Sequence, residues 1–356
     1  MELFQRLGDG GFEQVVWCHD VPTGLRAIVS IHSTALGPAL GGTRFRPYPT
    51  EEAALTDVLR LSRGMTYKAA AAGLDLGGGK AVILGNPVTT RSPELLRAYG
   101  RFVESLSGRY ITAEDVGTTQ ADMDLIRQET RFVTGVSQSA GGSGDPSPAT
   151  ALGVVHAMGA VAKHLWGSPS LDGRHVVVSG VGKVGSALVP LLVAAGAKVS
   201  VADVEPARVS AMVARHGATP VTTDDALGMV CDVLAPCALG GVLNATTIPR
   251  LGCRAVCGSA NNQLDEPADA ERLADAGILY APDYVVSAGG IINIAEELRG
   301  YDHGRATARL VAVGQTTAAV LAAAATSGIT TLAAADRLAD SRLTAADGSP
   351  RIRTFR

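Results

Sequence analysis

The sequence carries no strong charge of either sign: charged side chains make up 18% of its 356 residues, the formal net charge is −3 and the pI is near 6.2. That balance gives no electrostatic reason to expect a nucleic acid or a membrane surface as partner. No apolar run is seen to reach the roughly 18 residues that a bilayer-crossing helix needs. The opening stretch, MELFQRLGDGGFEQ, is mixed in charge and lacks the apolar core of a signal peptide, so a cytoplasmic protein is expected. Cysteine is sparse and odd in number: Cys18, Cys231, Cys237, Cys253 and Cys257. An odd set without a secretory signal argues against a disulfide framework. Cys253 and Cys257 have no histidine or second cysteine pair at a ligand spacing, and the seven histidines include no HxH or HExxH, so no metal site is expected. His32 and His175 lie in or beside apolar strand-like runs and are expected to be hydrogen-bonded structural residues.

What the chain does have is apolar residues, 46% of the total, in a length suited to two domains rather than one. Residues 12–47 alternate as strands do in EQVVWC and LRAIVSIHS, and LGPALGGTRF reads as a glycine-rich turn. Residues 51–64 repeat apolar positions at helical spacing behind an acidic first turn. AVILG after Lys80 reads as a buried strand, PELLRAYGRFVESL as a helix, and RYITAEDVG as a strand ending in a functional turn. The stretch 137–150, SQSAGGSGDPSPAT, is the best linker candidate, with a helix from about Ala151 to Leu165 after it. HVVVSG, AKVSVADV, VCDVLAP, RAVCGSA and ILYAPDYV then alternate with helices, the pattern of a doubly wound parallel sheet. Residues 305–340 are alanine-rich and helical, and the last dozen read as frayed. The expected architecture is α/β with two domains and a cleft between them. A substrate and oligomerisation domain spans 1–140, and a Rossmann-type domain spans 141–324. The C-terminal helices, about 325–356, are expected to return to the first.

Directly after the VVVS strand, Gly180-Val181-Gly182-Lys183-Val184-Gly185 spells GxGxxG, and a helical run follows. The first glycine permits a tight turn, the second lets backbone approach a pyrophosphate, and the third lets helix and strand pack closely. The helix N-terminus offers free N–H groups and a positive dipole end. The next strand ends in Asp203, 18 residues after Gly185, where a carboxylate accepts from the adenosine ribose and repels a 2′-phosphate. NAD is therefore expected; Lys183 and Arg208 leave room for NADP.

GMTYKAAAAGLDLGGGKAVI sets Lys68 and Lys80 twelve residues apart, the second behind three glycines that let backbone pass close to a ligand. Two cations close together, partly buried, lower one another's pKa toward the range where an amine acts as a base. Asp115, in TAEDVGTT, is placed to orient such a lysine and relay protons. Spacing alone leaves the plainer alternative open, two solvated lysines and an acidic helix cap.

Taken together, TGLRAIVSIHSTALGPALGG, RGMTYKAAAAGLDLGGGK, GRYITAEDVGTTQADMD, GDPSPATALGV, LAPCALGGVLN, GSANNQL and GILYAPDYVVSAGGIIN resemble the Glu/Leu/Phe/Val dehydrogenase family, in order and along nearly the whole chain. Within the family the likeness is greatest to its leucine and valine branch. The resemblance implies NAD-dependent, reversible oxidative deamination of an amino acid to a 2-oxo acid and ammonia, by a homo-oligomer. It implies Lys80 as the catalytic lysine, Lys68 on the substrate carboxylate beside Gly41, Gly42 and Met65, and Asp115 in proton transfer and on the amino group. Thr150 is implied at the nicotinamide carboxamide; Asn261, beside Ala260, and the turn Ala235-Pro236-Cys237 are implied along the nicotinamide ribose.

The same resemblance maps the side-chain pocket to Leu40, Ala113, Ile291 and Ile294. All four are apolar, which excludes a charged side chain that would lose its hydration unpaired. Leucine dehydrogenases commonly carry valine at the last two positions, so the two isoleucines predict a narrower pocket that prefers valine or another short branched substrate. The family pattern NAGG reads Ser287-Ala288-Gly289-Gly290 here, and serine offers fewer hydrogen bonds than asparagine. Slower turnover on ordinary amino acids is one implication; an unusual 2-oxo acid of specialised metabolism, or an NAD-binding protein of reduced activity, is the alternative.

Overall fold

Alternation of apolar and polar residues between positions 14 and 33 produces a hairpin. In the computed structural model, which describes residues 3–346, a short helix α1 (Leu3–Gly10) leads into β1 (Gln14–Asp20) and β2 (Leu25–Ser33), which pair antiparallel around a turn with Gly24 at φ +71°. The segment LGPALGGTRF, read as a turn, is mostly strand: β3 runs Ala39–Arg46 and only residues 34–38 turn. Its glycines report crowding rather than a turn. A Cβ on Gly41 would lie 1.7 Å from the Gly79 carbonyl oxygen, and one on Gly42 would lie 2.5 Å from that of Glu114.

Helix α2 (Glu51–Ala71) starts where the Thr50 hydroxyl accepts from the Ala53 N–H at 3.1 Å, with Glu51 and Glu52 at the positive end of its dipole. Its Ala54, Leu55, Val58 and Leu59 bury against Ile28 and Val82, and each large aliphatic side chain so buried is worth about 1.5–3 kcal/mol. After α2 come β4 (Gly77–Leu84), α3 (Pro93–Ser105), β5 (Tyr110–Glu114) and α4 (Gln120–Arg127). The sheet order is β1-β2-β4-β3-β5, with β3 parallel to both β4 and β5, so it is mixed.

Residues 3–145, together with Ile294–His303 and the described residues from Ala339 on, form one compact unit; Pro146–Asn293 and Gly304–Leu338 form the other. Residues 294–303 join the first unit through Glu297, whose carboxylate accepts from the backbone N–H groups of Gly135 at 3.0 Å and Ser143 at 2.8 Å. Residues 339–346 join it at the end of α2. Ala339 buries with Leu36 and Ala70, the Tyr67 hydroxyl donates to Asp340 at 2.9 Å, and Arg342 donates to the Ala70 carbonyl and to Asp75, each at 3.0 Å. The chain therefore returns from Ala339 rather than from about 325.

The second unit opens with α5 (Ser147–Trp166), so helix begins inside the segment read as linker. It continues through β6 (His175–Ser179), α6 (Lys183–Ala194), β7 (Lys198–Ala202), α7 (Pro206–His216), β8 (Thr219–Pro220), α8 (Thr223–Gly228), β9 (Cys231–Pro236), β10 (Cys253–Val256), α9 (Asp269–Asp275) and β11 (Leu279–Tyr280). All six strands are parallel in the order β11-β10-β9-β6-β7-β8, a doubly wound sheet. ILYAPDYV, read as one strand, pairs only at Leu279–Tyr280; α10 (Asp283–Val286) and α11 (Gly289–Ala295) follow. The alanine-rich stretch is two helices, α12 (His303–Ser327) and α13 (Thr331–Ala346). The expectation that no apolar stretch is long enough to cross a bilayer fails for α12, whose 18-residue window reaches a mean hydropathy of 1.4. Its buried residues, Ala306, Leu310, Val313, Thr317, Val320, Leu321 and Ala324, recur at three- and four-residue spacing, the pattern of a helix with one face in a core. Gly314 of α12 lies so close to α5 that a Cβ would meet the His156 carbonyl oxygen at 2.8 Å. Of the residues read as frayed, all after Ala346 lie outside the described residues.

A Cβ on Gly78 would lie 2.0 Å from the Thr66 backbone nitrogen, so the Gly78→Ala substitution must push α2 off β4. Urea unfolding of the Gly78→Ala protein is expected to show a loss of about 2 kcal/mol or more, and a loss below about 0.5 kcal/mol would show that the contact is not rigid.

Candidate active site

Side chains alternate along a strand, so Lys80 projects from the same side of β4 as Gly78, toward α2. Its ammonium lies 3.1 Å from Asp115 Oδ2, in an ion pair whose side chains are 7% and 18% exposed. Asp115 follows β5 directly, and its backbone N–H donates to the Thr118 hydroxyl at 2.9 Å, which in turn donates to the Thr43 carbonyl at 2.9 Å. The backbone beside the pair is close-packed: the would-be Cβ of Gly42 comes 2.9 Å from Asp115 Cβ, and that of Gly41 comes 3.3 Å from Met65 Cγ. Lys68 lies one turn beyond Met65 on α2 and is half-buried. Leu40 and Ala113 are fully buried on β3 and β5. One unit thus gathers Lys80, Asp115, Gly41, Gly42 and Met65, with Lys68 on the helix that carries Met65.

A further charge is present that the sequence reading missed. Arg44, two residues after Gly42 on β3, donates from Nε to Asp115 Oδ2 at 3.1 Å and from Nη1 to Asp57 Oδ2 at 3.0 Å. The Tyr48 hydroxyl also donates to Asp57 Oδ2, at 2.7 Å. Burial pushes the Asp115 carboxyl upward, but attraction to Lys80 and Arg44 and their hydrogen bonds outweigh it, holding its pKa below the ordinary carboxylate value. Period-two counting from Gly42 would have put Arg44 near the site; nothing in the sequence names its partner.

In the second unit, β6 is the strand at which the chain order reverses, between β7 on one side and β9 on the other. Ligands of such sheets bind beyond the carboxyl ends of these strands. The three glycines there have three different surroundings. Gly180 has φ +104°, and its would-be Cβ meets Ala238 Cβ at 2.7 Å; that of Gly185 meets the Gly180 carbonyl at 1.9 Å. Around a Cβ on Gly182 nothing lies within 4 Å, so this position has open space rather than a packing neighbour. Gly182 caps α6, whose first turn holds Lys183, Val184 and Gly185. This arrangement fits a dinucleotide pyrophosphate.

Asp203 is more than a free acceptor at the end of β7. Its Oδ2 accepts from the Val181 N–H at 2.8 Å and its Oδ1 from the Glu205 N–H at 2.9 Å, with Arg208 at 3.6 Å. The turn Ala235-Pro236-Cys237 ends β9, tied to β6 by the Cys237 N–H donating to the Ser179 carbonyl at 2.8 Å. Ala260 donates to the Pro236 carbonyl at 2.9 Å, bringing the Ala260-Asn261 loop to the same end of the sheet. Gln263, which the sequence reading missed, is fully buried and holds that loop by donating to Gly258 and Ala260 carbonyls at 2.9 and 3.0 Å. Thr150 lies near the start of α5, where the would-be Cβ of Gly290 approaches its hydroxyl to 2.8 Å. Ser287 donates its hydroxyl proton to the Asp283 carbonyl at 2.6 Å. Ile291, buried in this unit, and Ile294, buried in the other, both lie on α11.

His32 and His175 are hydrogen-bonded structural residues: His32 meets Thr66 Oγ1 at 2.8 Å and the Gly10 carbonyl at 3.2 Å, and His175 meets Ser200 Oγ at 2.8 Å. Burial, helped by Arg63, pushes the His32 pKa down to about 4. The five cysteines are free thiols, and burial raises those of Cys18 and Cys231 to about 12.

Because the folded-state pKa of Asp115 is depressed, its contribution to stability is complete above the pKa of an unfolded aspartate and disappears as pH falls through the lower folded value. Asp115→Asn is expected to cost about 3 kcal/mol at pH 7 by leaving two buried cations facing each other, with the gap to the parent narrowing below about pH 4. Equal costs at pH 7 and pH 3, measured by urea unfolding, would contradict the buried charge pairing.

Comparison with known proteins agrees with this geometry. A family model described as Glu/Leu/Phe/Val dehydrogenase, dimerisation domain, matches residues 13–132, and one described as Glutamate/Leucine/Phenylalanine/Valine dehydrogenase matches 141–208 and 202–304. The chain is 52% identical to a leucine dehydrogenase of Geobacillus stearothermophilus, over 96% of this chain and 94% of that one. It is 54% identical to a valine dehydrogenase of Streptomyces coelicolor, over the same shares. The crystal structure of the L-tryptophan dehydrogenase from Nostoc punctiforme superposes with a TM-score of 0.85 at 44% identity, covering 98% of this chain and 100% of that one. The two family models and the identity to these relatives over almost the whole length make the chain a member of the Glu/Leu/Phe/Val dehydrogenase family of pyridine-nucleotide-dependent amino-acid oxidoreductases.

Proposed function

We propose that the protein oxidises a branched-chain aliphatic L-amino acid with NAD⁺, reversibly, giving the 2-oxo acid and ammonia. The observation that carries this reading is the Lys80–Asp115 ion pair beside the close-packed backbone of Gly41 and Gly42. Bound nicotinamide supplies the hydride acceptor. Lys68 takes the substrate α-carboxylate beside Gly41, Gly42 and Met65. Asp115 holds the amino group through a carboxylate that stays ionised. Lys80 takes the proton from the water that attacks the substrate imine, and returns it as ammonia leaves. Thr150, Ala235–Cys237 and Ala260–Asn261 orient the nicotinamide end; Gly180–Gly185 and Asp203 hold the pyrophosphate and adenosine ribose. The description of the N-terminal family match as a dimerisation domain supports a homo-oligomer.

Relatives named for leucine, valine and tryptophan match at similar lengths, so overall identity does not choose the side chain. The choice rests on Leu40, Ala113, Ile291 and Ile294, all buried and apolar. The extra methylene of each isoleucine relative to valine is worth about 1–3 kcal/mol of discrimination. Ser287 supports slowed turnover on such substrates rather than loss of activity, since its proton is committed to the Asp283 carbonyl and is withheld from a ligand.

Following NADH at 340 nm across an amino-acid panel at alkaline pH, kcat/KM for L-valine is expected to exceed that for L-leucine, with L-phenylalanine lowest; phenylalanine above valine would refute the pocket assignment. Ser287→Asn is expected to raise kcat on L-valine severalfold, and no gain would favour an unusual 2-oxo acid as substrate. NADP⁺ is expected to be used at least about tenfold less efficiently than NAD⁺, because Asp203 faces the 2′-phosphate position; equal use would remove that role.

A further inference from the structure

Asp115 receives two cations on one oxygen. Lys80 Nζ and Arg44 Nε both lie 3.1 Å from Oδ2, and no hydrogen bond or ion pair among the described residues falls on Oδ1. Arg44 is itself held from the far side, where Asp57 Oδ2 takes its Nη1 and is fixed in turn by the Tyr48 hydroxyl. The carboxylate so gripped cannot rotate without breaking two charge-assisted hydrogen bonds, each stronger than a neutral one. Asp57 and Arg44 come from α2 and β3, and Lys80 and Asp115 from β4 and the end of β5, so the chain of charges ties four elements around one oxygen. The side chains are shielded: Arg44 is 15% exposed and Asp57 13%.

We propose that Arg44, braced by Asp57, is a positioning residue for the deamination reaction: it fixes Asp115 through Oδ2 so that Oδ1 is presented to the substrate amino group. This rests on the functional reading above. The arrangement has a second consequence, for charge. The groups facing the Lys80–Asp115 pair are Arg44 from β3, Asp57 and Tyr48 behind it, and Tyr110 from β5, whose hydroxyl donates to the Gly41 carbonyl at 2.5 Å. Lys68 lies on α2 about three turns beyond Asp57. A cation beside a proton-transferring centre makes its proton easier to lose, and an anion makes it harder. Removing Arg44 must therefore move the acid limb of kcat to higher pH, whereas removing the Asp57 charge must move it to lower pH.

The test is kcat for L-valine oxidation by the full-length enzyme from pH 7 to 11, for the parent, Arg44→Gln, Arg44→Lys and Asp57→Asn. Arg44→Gln is expected to lower kcat at least about tenfold and to shift the acid limb up by about one pH unit. Asp57→Asn is expected to shift that limb down, and Arg44→Lys to leave it within about 0.3 unit of the parent while kcat still falls, since lysine keeps the charge but not the planar fork. Limbs that stay put, or that move together in Arg44→Gln and Asp57→Asn, would overturn the proposal, because lost packing has no reason to reverse sign between a cation and an anion. If Arg44→Gln does not fold, an unmoved limb in Arg44→Lys beside a lowered limb in Asp57→Asn supports the proposal, and limbs that move together overturn it. A parent enzyme that fails to reduce NAD⁺ with any amino acid offered would instead sink the functional reading itself.

Discussion

A lysine buried in the middle of a sheet needs a carboxylate, since an ammonium taken out of water without a partner costs several kcal/mol. In this protein the partner is Asp115, and the rest of the first unit can be read as the means of bringing Asp115 and Lys80 to 3.1 Å. The two sit on different strands separated by β3, so β3 must be thin where they meet. Gly41 and Gly42 make it so, and Gly78 does the same for the approach of α2. Each of these glycines is held at its position by a backbone atom closer than any Cβ would tolerate. The ion pair and the glycine frame therefore depend on one another: larger residues would separate the strands, and separated strands would leave a buried charge alone.

The second unit solves a different problem with the same residue. Its three loop glycines have three surroundings: a positive-φ backbone that only glycine adopts freely at Gly180, open space at Gly182 and close packing of helix on loop at Gly185. Only the open position has room for a ligand to approach the backbone. Asp203 closes the loop by accepting from Val181, so the residue proposed to read cofactor identity also fixes the shape of the glycine loop. On the proposed reading, cofactor choice and loop geometry are coupled through one carboxylate.

Much of this was legible in the sequence because it is written in local pattern. The VVVS strand, the GxGxxG spacing and the acid at the end of the next strand are short-range signals, and the parallel sheet carries them as expected. The lysines and Asp115 were visible as residue types, but their meeting was not, since it depends on strand order across a mixed sheet. LGPALGGTRF was misread for a related reason: glycine marks both turns and close strand contacts, and only the neighbouring strands decide between them. Arg44 reaches Asp115, and Glu297 reaches Gly135 and Ser143, partners distant in sequence that no spacing announces; Gln263 acts on the nearby Gly258 and Ala260 carbonyls, but no motif marks it. Helix α12 was undervalued as an apolar segment because its leucines and valines are few and spaced along one face, while much of the rest of its apolar character comes from exposed alanines such as Ala318, Ala319, Ala322 and Ala323.

The central claim is that the Lys80–Asp115 pair performs the proton chemistry of amino-acid oxidation. The most direct measurement is the rate of ammonia release by Lys80→Ala turning over L-valine with NAD⁺, alongside its NADH dissociation constant. The account predicts a rate lower by about 10³-fold or more with cofactor binding unchanged within about twofold. A rate within about tenfold of the parent would contradict it.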